Sequence, residues 1–376
     1  MASVHVFSNL NTPAKPIISF LAKFLISAAS LKRQAHHFCL LRMSTLFALP
    51  NTIATVNPAH PALAAIAVMT GRGGRFRKAL LRMMAVLITG LMALVVTGCA
   101  IQPVPMSPQT ATALQSQPPI RFLLTFDDGP ARPKTDNSTL SILDTLANNP
   151  VQPGIKALFF VQTRSSGAGE TDFGHSILRR EAEEGHLLGF HTATPRHANH
   201  RFLSPEKFEQ SLNDGISDIV AIQGVAPKLV RPPFWNYDAQ TFAAYQQHGM
   251  HILLTDLSAN DGKIYGFKAS LRRRSNMLHM LTEVRARIAA GELPAVDGNI
   301  PVVVTFHDIN GYTADHMAEY LQILLDCARA VQLPTAAKPF YDNSGAVERA
   351  ALTRSVRDGS QSPHLPGFWN FFWAWL

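Results

Sequence analysis

From Ile120 onward, short and wholly apolar runs alternate with longer amphipathic stretches, and this alternation restricts the fold more than any other feature of the chain. Arg121–Phe126 (RFLLTF), Lys156–Thr163, His186–His191, Lys228–Arg231, Met250–Thr255 and Pro301–Phe306 are too short for helices. They are apolar throughout rather than at every second residue, as strands covered on both faces should be. Ser138–Ala147, Phe173–Glu184, Ser204–Ile222, Ala239–His248, Lys268–Ala290 and Thr313–Val331 suit helices. The third of these opens with Ser-Pro-Glu, an N-cap followed by proline at the first helical position. Repeated strand–helix units predict an α/β domain around a parallel sheet.

Such a sheet is either open and doubly wound or closed into a barrel. The polar candidates lie just past the carboxyl ends of five strands: Asp127 with Asp128, His191, Arg231, Asp256 and His307. A doubly wound sheet gathers its site at one switch point, whereas a barrel draws on many strands around one rim. The spacing therefore predicts a (β/α) barrel over residues 120–335, with residues 336–376 as a C-terminal tail. That tail ends in GFWNFFWAWL, which holds three of the four tryptophans. It is suited to packing on the barrel, to a membrane interface or to stacking on sugars.

Charge separates the amino-terminal part from the rest. Residues 1–98 contain ten Lys and Arg and no Asp or Glu, which leaves 24 basic against 26 acidic residues from 99 onward. The basic leader thus accounts for the net charge of +8, and nucleic-acid binding gains no support. A basic cluster, Arg72–Arg82, precedes the apolar stretch Met83–Val96 and the tetrapeptide Val96-Thr97-Gly98-Cys99. Together they read as a signal peptide over 69–98 ending in a bacterial lipobox, with Cys99 as the lipidated residue. Ala100 after the cysteine resembles the pattern of outer-membrane lipoproteins facing the periplasm. Residues 1–68 fit neither anchor nor domain, and Met69 is the expected start. Residues 99–119, rich in Pro, Gln, Ser and Thr, read as the lipidated cysteine and a flexible tether. Cys39, Cys99 and Cys327 show no CxxC spacing, so no disulfide framework is implied and Cys327 is expected in the core.

Four motifs carry chemistry. TFDDGP (Thr125–Pro130) sets two carboxylates beside each other at the end of a buried strand, which is costly without a neighbouring cation. GFHTATPRHANH (Gly189–His200) brings His191, His197 and His200 into one loop. Two imidazoles and one carboxylate suffice for an open divalent-metal site, with zinc the natural choice for an N/O donor set. LVRPPFWN (Leu229–Asn236) offers Arg231, a permanent cation able to hold a carboxylate. Its two prolines lack amide hydrogens, so Phe234 supplies the next backbone donor, suited to an oxyanion. VVVTFHD (Val302–Asp308) places His307 after the last strand, where an imidazole suits a general acid. Asp256 or Asp261 would hold its other ring nitrogen.

These four pieces, in this order, resemble the polysaccharide deacetylases, the NodB-like domains of carbohydrate esterase family four, over about residues 120–335. The resemblance implies a single catalytic domain with a distorted (β/α) barrel. It implies Asp127 as the catalytic base, Arg231 as the residue holding it, Asp128 and His191 as metal ligands and His307 as the acid. The second motif departs from the family, because Pro195 stands where its second histidine belongs. Aligning back from Leu203–Glu206 gives His197, with His200 as rival. Phe234 and Trp235 replace a usual Tyr-Gly, which alters the substrate groove. TDLSANDG lacks the family's tryptophan and spaces Asp256 and Asp261 five apart. The implied activity is metal-dependent removal of N-acetyl groups from an envelope or extracellular polysaccharide, with membrane attachment through Cys99. The alternatives are hydrolysis of a small non-peptide amide on the same fold, or a glycan-binding lipoprotein without catalysis. The polymer and the oligomeric state are not implied.

Overall fold

The computed structural model describes residues 103–259, 261 and 273–359. The leader, Cys99 and the aromatic end of the tail lie outside the described residues. The strands are β1 (Ile120–Asp127), β2 (Leu158–Gln162), β3 (Leu187–Thr192), β4 (Leu229–Val230), β5 (His251–Ile252), β6 (Leu257–Ser258), β7 (Ile300–His307) and β8 (Thr335–Phe340). The helices are α1 (Pro108–Gln115), α2 (Ser138–Ala147), α3 (Asp172–Glu183), α4 (Pro205–Gln223), α5 (Ala239–Gln247), α6 (Arg273–Ala289), α7 (Gly311–Ala330) and α8 (Ser344–Thr353). As Ser-Pro-Glu predicts, Ser204 caps α4 and Pro205 opens it.

The strands pair in the order β5-β4-β3-β2-β1-β7-β6, with β8 on β1, and each named pair is parallel. The two edges of this sheet, β5 and β6, are consecutive in the chain. The Leu253 amide donates to the Val230 carbonyl on one edge, and the Asp256 amide donates to the Val303 carbonyl on the other. A few residues therefore span the seam, so the sheet must curl round on itself. The result is a distorted (β/α) barrel, as the rim argument and the family resemblance predict.

Alternation along the strands sorts the side chains. Phe126 stacks on Phe159 and Phe306, and Phe306 meets Tyr320 of α7, all outside the barrel wall. Leu123, Leu158, Phe160, Leu229, Leu253 and Val303 pack together inside. Toward the carboxyl rim the lining turns polar along each strand: Leu123, then Thr125, then Asp127; Val303, then Thr305, then His307; Leu229, then Arg231. The same strands thus supply an oily floor and a polar mouth.

Two expectations are corrected. The sheet continues past residue 335 through β8, and Val347, Ala350 and Ala351 of α8 pack onto the interior cluster. That part of the expected tail plugs the lower end of the barrel. Residues 103–119 are docked rather than a free tether. The Val104 amide donates to the Ala330 carbonyl, and the buried Arg285 guanidinium donates to the carbonyls of Val104, Pro105 and Val331. Composition could not reveal this, because backbone carbonyls make the contact and the receptor lies about 180 residues away. Cys327 is buried as expected.

Candidate active site

The site is built on β1. Asp127 ends the strand, and Asp128 follows in the left-handed region at φ 78°, a conformation aspartate tolerates better than most residues. The turn is pinned because the Gln162 amide donates to the Gly129 carbonyl at 2.7 Å. Gly129 is required for space: a Cβ there would meet the Asp308 carboxylate at 2.1 Å.

Asp127 faces Arg231, whose Nη1 lies 2.8 Å from Oδ1. The guanidinium is fully buried, and its other donations go to Thr125 Oγ1 (2.7 Å), the Leu253 carbonyl (3.0 Å) and the Leu254 carbonyl (3.4 Å). It also lies over the Phe160 ring, 4.3 Å from its centroid. A buried cation so tightly enclosed keeps the carboxylate in one place.

Asp128, His191 and His197 form a three-donor cluster in which one atom from each lies within 4.8 Å of the others. His191 Nε2 and His197 Nε2 are 3.4 and 3.6 Å from Asp128 Oδ1 and 3.0 Å from each other. A tetrahedral zinc with bonds of 2.0–2.1 Å has ligand-to-ligand edges of about 3.4 Å, so these separations fit such an ion. The His191 Nδ1–H donates to the Arg231 carbonyl at 2.7 Å. A carbonyl can only accept, which leaves the His191 Nε2 lone pair facing the cluster. The donor set, the tautomer and the spacing all suit a divalent cation.

The structure separates the rival histidines. His200 is buried, with Nδ1 bonded to the Tyr245 hydroxyl at 2.7 Å and Nε2 to Thr192 Oγ1 at 3.0 Å. Burial pushes its pKa down to about 3. Both ring nitrogens are satisfied in the core, so it has no lone pair left for the cluster.

The rival aspartates separate too. Asp261 Oδ1 lies 2.9 Å from His307 Nδ1, and its Oδ2 accepts the His307 amide (2.6 Å) and the Thr313 hydroxyl (2.7 Å). Burial opposes the imidazolium, but the Asp261 charge and hydrogen bond, with Asp128 and Asp127 beyond, raise the His307 pKa to about 9. Asp256 does not join His307. Its carboxylate accepts from the Val303 amide and pairs with Arg287 and Arg354. Val303 lies mid-strand, four residues before His307, so Asp256 binds α6 and the segment after α8 to the barrel wall.

Phe234 and Trp235 occupy a short turn with φ of 59° and 57°. Left-handed backbone costs about 1–3 kcal/mol at such residues. The Phe234 ring stacks on His197 at 4.5 Å, and the indole Nε1–H points to Asp127 Oδ2 at 3.4 Å.

Three contributors were not foreseen. Gln162 Nε2 donates to Asp128 Oδ1 at 3.2 Å. Thr125 supports Arg231. Asp308, beside His307 in the sequence, is buried behind the first turn, accepts from Thr139 Oγ1 at 2.7 Å and has its pKa raised by burial to about 7. Its adjacency to His307 in FHD was the available signal. Nothing in the sequence marks Gln162, which reads as one more strand residue.

Residues 115–253 match the polysaccharide deacetylase family. The matched segment carries Asp127, Asp128, His191, His197 and Arg231, while Asp261 and His307 lie beyond its end. A chitin deacetylase of Pestalotiopsis sp is 29% identical over 180 residues, which cover 48% of this chain and 56% of that one. A peptidoglycan-N-acetylglucosamine deacetylase of Bacillus cereus is 36% identical over 115 residues, 30% of this chain and 35% of its own length. The matches thus span about half or less of these two polysaccharide deacetylases. Among solved structures, the chitin deacetylase from the fungal pathogen Colletotrichum lindemuthianum is 24% identical, with a TM-score of 0.43, over 66% of this chain and 96% of that one.

Proposed function

We propose that the protein is a metal-dependent deacetylase that hydrolyses N-acetyl groups on an envelope or extracellular polysaccharide. One observation carries this reading: three sets of groups meet at one rim of the barrel. They are the Asp127–Arg231 pair, the Asp128–His191–His197 cluster and the His307–Asp261 pair. The deacetylase relatives support the same chemistry.

Asp128, His191 and His197 would hold the cation, with zinc the best match to two nitrogens and one oxygen. When bound, a divalent ion supplies Lewis acidity toward a carbonyl and lowers the pKa of water. Asp127, held in place by Arg231, takes the proton from the attacking water. The Phe234 amide is assigned to the developing oxyanion. His307, held by Asp261 and charged at neutral pH, protonates the departing amine, so that acetate leaves and a free amino sugar remains.

The test is acetate release from N-acetylglucosamine oligomers by the purified protein, before and after chelation. Full activity after chelation, or in Asp128→Ala, would defeat the metal assignment. A second reading, a small non-peptide amide as substrate, is favoured only by the half-buried Trp235 beside Asp127; it predicts faster turnover of small amides than of oligomers.

We also propose attachment to the outer membrane through a lipid on Cys99, facing the periplasm. Labelled palmitate should enter the wild-type protein and fail to enter Cys99→Ser.

A further inference from the structure

Asp127 is held at both of its oxygens. Arg231 takes Oδ1 at 2.8 Å and the Trp235 indole N–H takes Oδ2 at 3.4 Å. The guanidinium cannot follow a turning carboxylate, because its remaining donations are tied to Thr125 and to the carbonyls of Leu253 and Leu254. With only that anchor, the carboxylate plane could still swing about the Cβ–Cγ bond, a torsion that is broad for aspartate.

The turn that presents the indole is built to be stiff. Two prolines precede it, the Trp235 amide donates to the Pro232 carbonyl at 2.8 Å, and the Asn236 amide donates to the Pro233 carbonyl at 3.2 Å. Phe234 and Trp235 both sit in left-handed backbone, a conformation that packing and hydrogen bonds must maintain. Its result is to send the two adjacent rings to different partners, Phe234 onto His197 and Trp235 onto Asp127.

We propose that Trp235 is a positioning residue for the proton acceptor. Its indole N–H occupies one lone pair of Asp127 Oδ2 and fixes the rotation of the carboxylate, so that the remaining lone pair faces the incoming proton. Orientation of a base is worth rate rather than affinity. A tryptophan that merely walled the groove would instead affect substrate binding. This proposal rests on the deacetylase reading.

The experiment compares Trp235→Phe and Trp235→Gly with the wild type on N-acetylglucosamine oligomers of increasing length. Phenylalanine keeps a ring and loses the donor; glycine loses both and suits the left-handed backbone, so it folds even if the first variant does not. Both should lose kcat by about 10- to 100-fold, the worth of a hydrogen bond to a charged group. KM and the length preference should shift only in the glycine variant. Wild-type kcat in Trp235→Phe would overturn the proposal. A second readout does not need turnover. In ¹⁵N spectra, the indole signal missing from Trp235→Phe should move in Asp127→Ala, and a signal that stays in place would overturn the contact. If the wild type releases no acetate, the deacetylase reading fails, and the indole signal alone decides whether Trp235 holds Asp127.

Discussion

Asp127 and His307 are register partners in the parallel pairing of β1 with β7. The groups assigned to accept one proton and deliver another therefore hang from one hydrogen-bonded ladder, about 4.8 Å apart between strands. Asp127→Asn and His307→Ala are each expected to lower kcat about 10²- to 10⁴-fold, as loss of a general base or acid does. Acetate release under saturating substrate checks this, and a loss in KM alone would contradict the assigned roles.

The metal cluster can be tested without substrate. Asp128→Ala, His191→Ala and His197→Ala should each weaken zinc binding by at least about 100-fold, since one donor of three is lost. His200→Phe should leave zinc affinity unchanged and lower thermal stability, because it removes bonds to Tyr245 and Thr192. Calorimetric titration with zinc, beside a thermal melt, separates the two histidines.

The pH profile should have an alkaline limb set by His307. Its folded pKa is raised, so the pair with Asp261 contributes stability that is complete below 6.5 and lost as pH rises through about 9. A cation on Asp128 offsets that carboxylate's share, which places the kinetic limb between 6.5 and about 9. Asp261→Asn removes the main charge favouring the imidazolium, so the limb should move toward acid. A profile of kcat/KM whose alkaline limb stays put in that variant would contradict the pairing.

Removal of the Asp127–Arg231 pair from one side should be severe. Arg231→Ala leaves a buried carboxylate without its cation, and breaking such a pair costs about 3–5 kcal/mol. Urea unfolding measures this. A midpoint within error of wild type would mean that water reaches the pair.

The docked segment before β1 makes a further measurable claim. Arg285→Ala deletes the donors to Val104, Pro105 and Val331, so residues 103–119 should be cut several-fold faster in limited proteolysis. Unchanged cleavage would mean that the Val104–Ala330 contact suffices.

Much of the barrel was legible because its strands are buried on both faces and its helices carry ordinary caps. The pattern failed where it had little to act on. β6 is two residues long, and β8 shows the mixed exposure Thr335–Phe340 has at the wall's lower edge. In the site, Asp127, Asp128, His191, Arg231 and His307 announced themselves by their place after apolar runs. The choices between His197 and His200, and between Asp256 and Asp261, depend on which way a loop turns. That in turn depends on distant partners such as Tyr245, Thr313 and Arg287. Gln162 and the indole bond of Trp235 were invisible for the same reason.

Arg231 also donates to Leu253 and Leu254, two of the residues that carry the chain across the seam between β5 and β6. One side chain is thus both the clasp of the barrel and the partner of its reactive carboxylate. Anyone retuning this catalyst would find position 231 closed to change, since a weaker grip on Asp127 would also loosen the wall. Adjustment of that carboxylate is left to its other oxygen, through Trp235 on the turn after β4, which does not hold the wall together.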